Sequence, residues 1–63
     1  MNIQLLSEYE NNGVNARVMK LHDDTFQVLV FNLKSGQELA KFFGSYTEAN
    51  RFAETSTQQQ LNG

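Results

Sequence analysis

The nine residues TFQVLVFNL, Thr25 to Leu33, constrain this chain more than any other stretch. Rich in β-branched and aromatic residues, and interrupted only by Gln27 and Asn32, they read as a strand. Side chains alternate along a strand, so Phe26, Val28 and Val30 point one way and Leu29, Phe31 and Leu33 the other. Both faces of this strand are apolar. An antiparallel sheet with one wetted face ordinarily shows polar residues on it, so each face of this one calls for a cover.

One helix is written clearly enough to supply a cover. Ser45-Tyr46-Thr47-Glu48 has the S-x-x-E spacing of a capping box, in which the Ser45 hydroxyl accepts from the Glu48 backbone N–H. Ala49, Phe52, Ala53 and Ser56 then recur at i, i+3, i+4 and i+7, a narrow apolar stripe with Phe52 as its anchor. The polar run from Thr57 onward predicts fraying near Gln60 and a disordered tail over 61–63.

Turn chemistry divides the remainder. Asn12-Gly13 tolerates the positive φ angles of a two-residue type I′ hairpin. That turn sets Tyr9 opposite Ala16, Glu8 opposite Arg17 and Leu6 opposite Met19. Ile3 and Leu6 also have helical spacing, but eight residues make a marginal helix, so residues 3–10 are read as a strand. Asp23-Asp24 is the next turn. With a two-residue loop it sets Met19 and Leu21 on the face of Phe26 and Val28, and Ala16 and Val18 on the face of Leu29 and Phe31. Lys34-Ser35-Gly36 suits a three-residue loop ending in a glycine bulge, and leads into Gln37–Phe43. Loop length alone decides which of those residues face the helix. The expected fold is α+β: one domain over 1–63, an antiparallel meander of three to four strands followed by a C-terminal helix on one face, ββββα.

A chain of 63 residues buries only about 60% of the surface its unfolded form exposes. Small folds compensate with disulfides, a metal or association. The sequence has no Cys and a single His, which excludes disulfides and leaves no zinc-type ligand set; no metal or cofactor is expected. Association is the remedy left. The longest apolar run, Val28 to Phe31, is far too short to span a bilayer, and the N-terminus lacks the pattern of a secretory signal. A cytoplasmic protein of bacterial or bacteriophage origin, without membrane contact, is the expectation.

Chemistry leaves little trace. His22-Asp23-Asp24 lies in one turn, with no other His or Cys to join it, and reads as a solvated turn. Ser35 and Ser45 are explained by a turn and a cap. No nucleophile elbow or phosphate-cradling glycine loop is present, so the chain is read as a non-enzyme. A net charge of −2 offers nucleic acid no long-range attraction. Three strands followed by one helix resemble, in element order and size alone and through no motif, small DNA-reading domains of the AP2 and integrase-arm type. That resemblance implies an alternative in which the sheet contacts nucleic acid through Arg17, Lys20, Lys34 and Lys41. The preferred expectation is a small protein-interaction module, a homodimer packed through the sheet face that the helix leaves open. Val18, Leu29, Phe31 and Phe42 are expected at the self-interface, and Phe26, Val28, Met19 and Phe52 beneath the helix, with room for a further, unidentified protein partner.

Overall fold

The computed structural model describes residues 3–58. Four strands, β1 (Gln4–Asn11), β2 (Val14–Lys20), β3 (Phe26–Asn32) and β4 (Glu38–Phe43), are followed by a helix, α1 (Tyr46–Gln58). The strands form one antiparallel sheet in the order β1-β2-β3-β4, with the helix against one face. This is the expected ββββα meander; the tail over 61–63 and the helix end near Gln60 lie outside the described residues.

Each connection follows from its turn residues. Asn12 and Gly13 both take positive φ, 53° and 80°, the type I′ turn that Asn-Gly favours. Tyr9 faces Ala16 and Glu8 faces Arg17 as the turn dictates, but a bulge between Leu5 and Ser7 brings Leu5, not Leu6, opposite Met19. The β3–β4 loop is four residues long, 33–36, closed by Asn32 N–H donating to the Gln37 carbonyl. The Asn32 side chain accepts from the backbone N–H groups of Lys34 and Ser35 at 2.9 and 3.0 Å, and Gly36 takes φ 79°.

The β2–β3 connection corrects the sequence reading. Leu21 N–H donates to the Thr25 carbonyl at 2.8 Å, which encloses His22, Asp23 and Asp24 in a three-residue loop. Asp24 carries the positive φ of 64° that such a loop requires. The pairing moves by one residue relative to a two-residue loop, and a one-residue move exchanges faces. Val18 therefore pairs with Val28 and Ala16 with Val30, while Met19 pairs with Gln27. Val18 lies under the helix at 0% exposure, not on the open face, and Met19 lies on the open face, not under the helix.

Ala16, Val18, Val28, Ala49 and Ala53 form the buried centre, with Tyr9, Phe26, Val30, Phe43 and Phe52 packed around it. Two alanines at i and i+4 let the helix axis lie close to the valines of β2 and β3. Ser45 caps the helix through the Glu48 N–H, 3.3 Å. The stripe runs one turn further than the apolar pattern indicates: Thr57 is buried, its hydroxyl satisfied by donating to the Glu54 carbonyl at 2.9 Å. Along β1 the helix is tied by polar contacts. Tyr9 OH donates to Asn50 Oδ1, and Ser7 and Tyr46 share a hydroxyl–hydroxyl bond of 2.6 Å.

The first turn is directly testable. A Cβ at position 13 would sit at positive φ and 3.3 Å from the Lys34 side chain. Gly13→Ala should cost about 1–2 kcal/mol and lower the melting temperature by roughly 5–15 °C. Gly44, with open space around its missing Cβ, should accept Ala nearly neutrally. Circular-dichroism melts of the two variants compare them.

Candidate interaction surface

The observed registers arrange the open face in three rows across the strands. The first is Leu5, Met19, Gln27 and Phe42; the second Glu8, Arg17, Leu29 and Ala40; the third Glu10, Asn15, Phe31 and Glu38. Half of these side chains are apolar. The face is thus less uniformly apolar than a two-residue β2–β3 loop would make it, because that loop would set Ala16 and Val18 where Asn15 and Arg17 now stand.

Its apolar part is concentrated on β3 and β4. Leu29, Phe31 and Phe42 share this side, and Phe42, at 59% exposure, is the most exposed large apolar residue described. The β4 strand is thinly covered on the helix side as well. All its residues except Phe43 are exposed, and Leu39 on the helix side is 51% exposed. The helix reaches β4 mainly through the ring pair Phe43–Phe52, 5.4 Å between centroids, with the Lys41 ammonium 5.2 Å above the Phe52 ring.

The polar part gathers toward β1. Arg17 Nε and Asn15 Nδ2 both donate to Glu8 Oε2, at 3.2 and 3.0 Å. These two bonds, Asn15 first, hold the Glu8 carboxyl below its ordinary pKa, so Glu8 stays anionic at neutral pH. Glu10 and Glu38 have no ion-pair partner among the described residues. Between them lies a shallow groove of about 440 Å³ whose floor is Leu29, Phe31 and Leu33.

The four bases of the nucleic-acid alternative do not converge. Arg17 is on the open face, bound to Glu8. Lys20 pairs with Asp24 at 3.6 Å, Lys34 lies against Gly13, and Lys41 stands on the helix side. His22, Asp23 and Asp24 form an exposed loop, in which Asp23 accepts from Thr25 N–H at 3.3 Å; hydrogen bonding from the Thr25 side chain first, and from backbone N–H groups after it, lowers the Asp23 pKa. Among the described residues no group of three or more His, Cys, Asp or Glu is placed to hold a metal ion, and no helix is long and apolar enough to cross a membrane.

Fold and surface together define a small α+β protein, an antiparallel sheet with a helix on one face and a mixed apolar and acidic surface on the other. No family model, curated protein or solved structure matches the chain.

Proposed function

We propose that this is a non-enzymatic interaction module that forms a homodimer through the open sheet face. The observation that supports it is the grouping of Leu29, Phe31 and Phe42 on adjacent strands of that face, with Phe42 largely in solvent. Met19 and Leu5 extend the apolar area along the first row. A cysteine-free chain suits a reducing, cytoplasmic setting.

Of the two face-to-face arrangements, one keeps the unpaired carboxylates Glu10 and Glu38 apart. A two-fold axis along the strands would bring Glu10 of one copy over Glu38 of the other. An axis across the strands, through the middle row, sets each third row over the other copy's uncharged first row. Every residue of the middle row then meets its own counterpart: Leu29 and Ala40 pack on themselves, and Glu8 and Arg17 face their like as an ion pair already neutralised within each copy. If each copy buries on the order of 300 Å² of apolar surface, the gross gain is about 15 kcal/mol. Association costs of about 4–15 kcal/mol offset much or all of it; a micromolar dimer, about 8 kcal/mol, corresponds to a cost of about 7 kcal/mol within that range.

Sedimentation equilibrium at tens of micromolar should therefore give a mass near twice 7.2 kDa. Leu29→Glu, at the axis, should weaken association by roughly a hundredfold, about 3 kcal/mol, with an unchanged far-UV spectrum. A monomeric mass for the unaltered chain at these concentrations overturns the homodimer.

A further inference from the structure

We infer that the groove on the open face docks an extended cationic segment of a second protein, one carrying two Lys or Arg four residues apart with an apolar residue midway. The inference deepens the reading of this face as the interaction surface, and names a partner other than a second copy.

The floor of the groove is apolar, formed by Leu29, Phe31 and Leu33, with Phe31 37% and Leu33 50% exposed. An apolar floor of this size takes one side chain, not a polar ligand. Charge then limits what surrounds that side chain. The open face carries Glu8, Glu10 and Glu38 against Arg17 alone. Elsewhere Asp23, Asp24, Glu48 and Glu54 are balanced by Lys20, Lys34, Lys41 and Arg51, so the chain's whole net charge of −2 resides on this face. Arg17 is committed to Glu8, and the two carboxylates of this face without an ion-pair partner among the described residues, Glu10 and Glu38, flank the groove on the two outer strands.

Spacing completes the argument. Glu10 and Glu38 end the same cross-strand row, with Asn15 and Phe31 between them. Three strand spacings of about 4.8 Å set their backbones roughly 14 Å apart. An extended segment advances about 3.3 Å per residue and shows every second side chain to one face. Residues i and i+4 thus span roughly 13 Å on one side, with i+2 between them. Laid across the strands, such a segment offers each carboxylate a cation and Phe31 an apolar side chain. This chain cannot supply it: its bases stand at positions 17, 20, 34, 41 and 51, and no two are four apart. The segment and a second copy both require Phe31, so the segment competes with self-association.

The test is fluorescence anisotropy of the full chain with a fluorescein-labelled peptide, Gly-Ser-Lys-Ser-Phe-Ser-Lys-Ser-Gly, and its isomer with adjacent lysines. The spaced peptide should bind more tightly, and Glu10→Gln/Glu38→Gln should weaken it about tenfold, two exposed ion pairs near the top of their range. Both positions are exposed on outer strands, and a far-UV spectrum checks that the variant is folded. Equal binding of the two peptides, binding indifferent to the double variant, or no binding at millimolar peptide each overturns the inference. Sedimentation of the same samples separates the readings. A double variant that loses the peptide but keeps its mass supports the groove; one that loses both assigns the groove to the second copy and overturns it. Should the unaltered chain prove monomeric, the homodimer fails while the anisotropy result still stands for or against the groove.

Discussion

Val18→Asp should abolish folding, whereas Leu29→Glu should leave a folded chain that no longer associates. Residues 18 and 29 lie on adjacent strands, one step out of register, yet they occupy opposite faces. Val18 is fully enclosed between Val28 of the sheet and the helix alanines, at 0% exposure. A carboxylate there finds no buried cation and loses its hydration, a penalty of several kcal/mol even after relaxation. A domain of this length holds about 3–5 kcal/mol in all, so the variant should show a coil-like far-UV spectrum and no cooperative melt. Leu29 is half-buried on the open face, where a carboxylate can reach water and lies one strand from Arg17. Its loss falls on the dimer. A folded, monomeric Val18→Asp would mean that residue 18 faces outward and that the β2–β3 register is wrong.

This contrast isolates what the sequence could not disclose. The elements were legible because their signals are local: Asn12-Gly13 for the first hairpin, the valine-rich run of β3, the Ser45 cap and the alanine-phenylalanine stripe of the helix. The Glu8–Arg17 and Tyr9–Ala16 pairs followed from one turn of fixed length. Faces are less local. The segment HDD can close as two residues or three, since Asp at position 24 tolerates the left-handed conformation that the longer loop needs. No neighbouring residue announces which. That single uncertainty placed Val18 outside and Met19 inside, and made the open face look more apolar than it is. Leu6, displaced by a bulge, and Thr57, polar by type but buried with its hydroxyl satisfied within the helix, were hidden for a related reason. Each depends on tertiary packing that no pattern of neighbours encodes. Leu29 and Phe31 were legible as a pair because β3 is apolar on both sides whatever the register, whereas the face of Phe42 hung on the length of the β3–β4 loop. The groove was not, because Glu10 and Glu38 lie 28 residues apart in the chain and meet in one row only through three successive pairings.

Ala53→Leu should be the most damaging apolar substitution in the helix. Leucine is nearly as good a helix former as alanine, so the local preference of α1 is essentially unchanged and any loss reports packing. Ala53 is at 0% exposure, in the cluster with Val18, Val28 and Ala49. Three added carbons have no space to enter unless the helix lifts or the valines leave their rotamers. Overpacking of this kind costs about 1–3 kcal/mol, occasionally more. Lifting the helix would also open the Phe43–Phe52 ring pair and the Tyr9–Asn50 bond, since both depend on the same close seat. Against a total of about 3–5 kcal/mol, the expected result is a melting temperature lowered by roughly 10–20 °C, or a chain unfolded at room temperature. Thr47→Leu on the exposed first turn changes the same helix without touching the sheet and should be nearly neutral. Equal melting temperatures for the Ala53 and Thr47 variants would show that the helix does not ride on its alanines, and the close helix–sheet contact on which both faces of this fold depend would have to be abandoned.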